Sequence, residues 1–220
     1  DGNIYQQASA TPKTWSAPNI FVVTLSLPLE SKGNTEELPC LTITAYFAMR
    51  PETRQILKQI NAPQDDGPPS LPQEKDPRVN AVRLFNEWCE KSPNDPSFQS
   101  RFKLIPHVAN LSELGVPGWI SRWSGKPVLI KRTGKTGFLY KNNNTPDVME
   151  MEISFHPFPW AAKQALELLR KDIFHKVLLT LGFVIEAREE EELPEVLIGL
   201  TQLCYPKAES AVLAQDFFLQ

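Results

Sequence analysis

Met149-Glu-Met-Glu-Ile-Ser-Phe155, followed after a proline-rich turn by Pro159-Trp-Ala-Ala-Lys-Gln-Ala-Leu-Glu-Leu-Leu-Arg-Lys-Asp-Ile-Phe-His-Lys-Val-Leu-Leu-Thr180, decides the fold class. In the first stretch Met149, Met151, Ile153 and Phe155 alternate with Glu150 and Glu152, the period-two signature of a strand with one buried face. In the second, Ala162, Leu166, Leu169, Ile173, Val177 and Leu181 share a stripe that Lys163, Glu167, Arg170 and Lys171 avoid. That spacing predicts a long amphipathic helix over about 159–180, supported by the Glu167 and Lys171 charge pair four residues apart. A strand and a helix of this kind predict an α+β fold: an antiparallel, curved sheet with the long helix packed on one face, helix-grip-like.

Working outward, Phe21, Val23, Leu25 and Leu27 form one apolar face over Ile20 to Leu27, and Leu41, Ile43, Ala45, Phe47 and Met49 form another. These two read as an antiparallel strand pair. Pro51 opens a short helix carrying Ile56, Leu57 and Ile60, and Asp76-Pro77 opens a second, to about Lys91, with Val79, Val82, Trp88 and Cys89 at helical spacing. Further strands are expected at Arg101–Ile105, Val128–Arg132, Gly137–Lys141, Phe183–Ala187 and Val196–Tyr205. Residues 1–19 read as an extended lead-in, and the five prolines between Ala62 and Pro77 mark a loop insertion within one domain over 20–220.

Composition narrows the function. The chain has 220 residues, 41% hydrophobic and 22% charged, enough for one sizeable core and too apolar for wholesale disorder. A formal charge of -3 gives no global reason for a nucleic-acid partner. Apolar runs are broken well short of the roughly 20 residues that span a bilayer, so the expectation is a soluble chain cut from something longer. Three cysteines, Cys40, Cys89 and Cys204, suit thiols in a reducing compartment and point to the cytoplasm.

The usual carriers of chemistry are missing from the pattern. Gly134-Lys135-Thr136 has Leu129 where a phosphate-binding loop requires glycine. His107, His156 and His175 have no acid or cysteine at a ligand spacing, and Cys89 lies on an apolar stripe, where a thiol is core. No nucleophile, base and orienting group can be assembled, so neither an enzyme, a metal nor a cofactor is expected.

Charge is concentrated locally. Between Arg101 and Lys141 stand eight basic residues and one acid, Glu113, together with Trp119 and Trp123. Cations interleaved with tryptophan suit an anionic membrane surface, and Trp119, Trp123, Lys131, Arg132 and Lys135 are the candidate contacts. A solvated hairpin with core tryptophans fits the same pattern. The acids Glu189 to Glu192 and Glu195 read as a turn in which one or two carboxylates fold back onto a helix end or a cation of the 101–141 region.

Arg101-Phe-Lys-Leu-Ile-Pro106, Gly125-Lys-Pro127 before an apolar strand, Met149-Glu-Met-Glu-Ile153 and Glu190-Glu-Glu-Glu-Leu-Pro-Glu195 followed by Ile198-Gly199 together resemble one family, the C-terminal domain of the plant protein ENHANCED DISEASE RESISTANCE 2. The resemblance spans about residues 20–212 and departs in three places. The family's opening strand has no counterpart in residues 1–19, the Ala62–Pro77 insertion is unmatched, and the family's nearly apolar long helix here carries Lys163, Arg170, Lys171 and Lys176. In the plant proteins this domain follows a phosphoinositide-binding domain and a lipid-binding domain, which implies lipid-linked work peripheral to membranes. The expectation is therefore a non-enzymatic module for a lipid or other apolar small molecule, lined by Phe21, Leu25, Ile43, Phe47, Met151, Ile153, Leu169 and Ile173. The alternative is a solid-core protein-interaction domain without a ligand cavity.

Overall fold

The computed structural model describes residues 14–30, 40–62, 77–131, 136–141 and 147–213. Its strands are β1 (Ile20–Pro28), β2 (Cys40–Ala48), β3 (Phe102–Val108), β4 (Val128–Leu129), β5 (Gly137–Lys141), β6 (Val148–Ser154), β7 (Leu178–Ile185) and β8 (Leu197–Cys204). The helices are α1 (Pro51–Ile60), α2 (Pro77–Lys91), α3 (Pro96–Gln99), α4 (Gly118–Ser121) and α5 (Trp160–Leu168). The α+β class holds. In place of one curved sheet there are two four-stranded sheets, ordered β2-β1-β6-β5 and β4-β3-β7-β8. The second is antiparallel throughout, whereas β1 and β6 run parallel in the first.

Strand registers explain why two sheets suffice. Phe21, Val23 and Leu25 sit opposite Met149, Met151 and Ile153 on β6, so the two central strands of the first sheet share an apolar face. Phe102 and Leu104 of β3 lie beside Phe183 and Ile185 of β7, giving the second sheet a matching face. The two faces close on each other: the rings of Phe21 and Phe102 lie 6.1 Å apart, and those of Phe47 and Phe183 5.5 Å apart. Trp88 of α2, fully buried, touches both Phe21 and Phe102 and donates its indole N–H to the Phe98 carbonyl at 2.8 Å. With its one donor satisfied, the tryptophan is buried without the cost of an unmade hydrogen bond.

The long helix over 159–180 does not form. α5 ends at Leu168, a π-helical turn covers Leu169–Ile173, a 3-10 turn covers Phe174–Lys176, and Leu178–Ile185 is strand. The cause is visible in the sequence from Val177 to Ile185, which holds no charge. A strand buried on both faces reads as a continuous apolar run, and its first residues extend a helical stripe by coincidence. Leu181, expected on the helix, pairs with Pro106 and Thr201 and points into the shared core. The α5 surface is also turned from its expected orientation, since Lys163 is buried and donates to the His156 carbonyl while Ala162, Leu166 and Leu169 are only half-buried.

The lead-in is partly built into the fold. Asn86 accepts from the backbone N–H groups of Ser16 and Ala17 at 2.8 and 2.9 Å, and Ala17 is buried. The lead-in over residues 1–13 and the proline-rich insertion over 63–76 lie outside the described residues.

Candidate functional site

The acidic turn is the most specific motif in the sequence, and two of its carboxylates are bound into the fold. Glu192 accepts from Arg101 at 2.8 Å and from the backbone N–H groups of Arg188 and Glu189. Glu195 takes both oxygens to the Lys103 ammonium and also accepts from the Ala187 N–H. Glu189, Glu190 and Glu191 stay exposed. Burial raises the Glu192 pKa, but the Arg188 N–H, the Arg101 guanidinium and the Glu189 N–H outweigh it, holding the carboxyl below the usual glutamate range. Arg101 is itself buried and stacks over the Phe98 ring at 4.3 Å. The turn therefore clamps the start of β3 to the end of β7.

Those ion pairs also remove Arg101 and Lys103 from the basic segment. Its remainder is split along β3. The loop bearing Trp119 and Trp123 hangs from the C-terminal half of that strand, where the Gly125 N–H donates to the Pro106 carbonyl and Ser124 accepts from the Val108 N–H. Lys131 follows Ile130, whose N–H donates to the Phe102 carbonyl at the strand's other end. Four residues of strand separate the two points, roughly 13 Å. Trp119 is half-buried, Trp123 is 59% exposed, and Arg122, Lys126 and Lys131 are exposed. Arg132 and Lys135 lie outside the described residues.

Of the eight expected lining residues, Phe21, Leu25, Met151 and Ile153 are buried in the core between the sheets. Phe47 is half-buried there against Phe183, while Ile173 is buried and Leu169 half-buried in the π turn after α5. Ile43 alone among them lines an open groove of about 280 Å³, shared with Leu41, Phe174, Leu203, Pro206, Lys207, Ser210 and Ala211. No periodicity could have revealed this groove, because β2, the 3-10 turn and β8 contribute only one or two residues each and the segment after β8 supplies the other four.

The groove and the tryptophan loop occupy the same end of the second sheet. Val108 at the end of β3 pairs with Leu179 near the start of β7, and Leu178 pairs with Cys204 at the end of β8. Exposed around this end are Trp123 and Tyr205 with Arg122, Lys126, Lys176 and Lys207, and the acids Glu113 and Glu209. The opposite end of the sheet holds the acidic turn. Among the described residues no group of three or more His, Cys, Asp or Glu is placed to hold a metal, and no helix is long and apolar enough to cross a membrane.

A family model described as "Protein ENHANCED DISEASE RESISTANCE 2, C-terminal" matches residues 2–206, and the chain belongs to that family. No curated protein and no solved structure matches it.

Proposed function

We propose that this member of the ENHANCED DISEASE RESISTANCE 2 C-terminal family is a non-enzymatic, lipid-binding module that works peripherally on an anionic membrane, on its cytoplasmic side, without a nucleic-acid role. One observation carries the reading: exposed Trp123 and Tyr205 share one end of the second sheet with Arg122, Lys126, Lys176 and Lys207, against the two acids Glu113 and Glu209, and an apolar groove opens at the same end. Indole and phenol rings favour the membrane interface, and each cation near anionic headgroups contributes about 1 kcal/mol. In the most specific motif Glu192 and Glu195 are engaged in ion pairs that hold the fold, which supports a structural role for these two acids.

Co-sedimentation with phosphatidylserine-containing and pure phosphatidylcholine vesicles tests the reading. Binding to the anionic vesicles that weakens with added salt supports it, because exposed charges are screened beyond about 8 Å at physiological ionic strength. Equal binding, or none, to both vesicle types refutes it.

A second reading, a protein-interaction domain without a ligand cavity, draws support from the filled space between the sheets, where Phe21, Met151 and Ile153 are buried and the Phe47 ring rests on Gly199. Mass spectrometry of organic extracts separates the two. Lipid above background in folded protein favours the first, and its absence together with failed vesicle binding favours the second.

A further inference from the structure

β2 and β8 are the edge strands of the two sheets and lie over each other along one side of the core. Their seam is tight at one end, where Phe47 covers Gly199, and open at the other, where Leu41 and Ile43 face Leu203. Among the described residues no strand closes that open end. Tyr205 ends β8 with a φ of 52°, a left-handed conformation uncommon for a residue with a side chain, held by donation of its N–H to the Val177 carbonyl at 2.9 Å. The turn brings Pro206 and Lys207 into the groove's lining, together with Phe174 and the leucines.

The result is an amphipathic trough. Leu41, Ile43, Phe174 and Leu203 supply apolar surface, while Lys207 and Ser210 are the polar residues of the lining. Among the described residues Lys207 is the one charged residue in the lining, with Glu209 two positions after it, and in the sequence Asp172 and Lys176 flank Phe174 at two positions on either side. At about 280 Å³ the space falls just under the roughly 300–1,000 Å³ usual for ligand sites, too small for a two-chain lipid and suited to one alkyl chain.

We propose that this groove binds a free fatty acid, its chain along Leu41, Ile43, Phe174 and Leu203 and its carboxylate at the Lys207 ammonium. The proposal rests on the lipid-binding reading and names its ligand. A chain with a cationic head would meet Lys207 as a like charge. A neutral head would forgo a charge-assisted hydrogen bond, the stronger kind.

Displacement of fluorescent cis-parinaric acid from the full chain tests it, using dodecanoate and dodecyltrimethylammonium below their micellar concentrations. Dodecanoate is expected to displace the probe saturably and roughly tenfold better than the cation, the scale of one charge-assisted hydrogen bond. Lys207→Gln should abolish the preference while leaving a common apolar affinity, and Leu203→Trp, which fills the groove, should abolish displacement. Ile43→Ala, which stays apolar, should weaken both competitors alike and serves if Leu203→Trp does not fold. Absence of saturable displacement, or equal competition by both heads in the wild-type chain, overturns the proposal. Vesicle binding by the same wild-type preparation then shows whether the broader membrane reading stands without it.

Discussion

Phe47 on the edge of one sheet rests directly on Gly199 at the edge of the other: a Cβ at Gly199 would come within 3.0 Å of the Phe47 Cδ1 and Cε1 atoms. The same ring meets Phe183 edge-on at 5.5 Å, so one aromatic side chain closes the seam between sheets against both β7 and β8. Glycine serves there for close approach and not for its backbone conformation, which is not left-handed.

Gly199→Ala should therefore destabilise the domain by about 1–3 kcal/mol through overpacking. Phe47→Leu in the same chain should recover part of that loss, because the smaller side chain vacates the contested space. Urea melts of the two single variants and the double variant measure the coupling, expected at about 0.5–3 kcal/mol for residues in contact. Additive losses would mean that the ring shifts freely and the seam is looser than its geometry indicates.

Asn86 holds the chain before β1 by accepting from two successive N–H groups, those of Ser16 and Ala17. Asn86→Ala leaves both donors without that acceptor and should cost about 1–3 kcal/mol. Hydrogen exchange should accelerate at Ser16 and Ala17 well before it does at Phe21 or Val23. Uniform acceleration through β1 would show instead that the segment is an integral part of the first sheet's stability.

How much of this was legible in sequence depends on whether a residue's environment repeats. β2 and β6 alternate between a more buried and a more open face, and Met149, Met151 and Ile153 betray that directly. Leu178–Ile185 is covered on both faces over its second half, so its apolar run lost the alternation that separates strand from helix and was absorbed into the stripe of α5. The fold-back of acids onto basic residues near 101 was readable because like charges in a row need a reason to stay close, and Arg101 and Lys103 stand on one short strand. The groove was not readable, since Leu41, Phe174, Leu203 and Lys207 meet only through topology. Nor was the division of the basic segment, because Lys131 and Trp123, eight positions apart, are carried to opposite ends of β3 by pairing of the intervening chain.

That division makes a directional prediction for membrane binding. Trp123→Ala and Lys126→Gln, at the groove end of the second sheet, should each weaken binding to anionic vesicles, the lysine variant by about 1 kcal/mol or roughly fivefold. Lys131→Gln, at the end near the acidic turn, should change it much less. Flotation assays at one fixed salt concentration give the comparison. Equal losses at Lys126 and Lys131 would place the membrane along the flank of β4 rather than at the groove end.

The final prediction concerns the clamp between Glu192 and Arg101, whose side chains are 16% and 10% exposed. Removing the Glu192 charge leaves Arg101 buried without its carboxylate, so Glu192→Gln should cost about 1.5–3 kcal/mol at neutral pH, against less than about 0.5 for the exposed Glu190→Gln. The pH dependence separates a charge effect from a packing effect. Because the folded-state pKa of Glu192 is depressed below its ordinary value of 4.5, its contribution to stability is fully present above that value. It is lost as pH falls through the lower folded-state pKa, where the native protein must also take up the proton. Thermal melts of wild type and Glu192→Gln should accordingly differ most at neutral pH and converge as the pH drops below 4.5, while wild type and Glu190→Gln stay close throughout. A wild-type advantage over Glu192→Gln that persists undiminished into that acidic range would mean that the glutamine disturbs the turn by shape, and that the Arg101 pair contributes little.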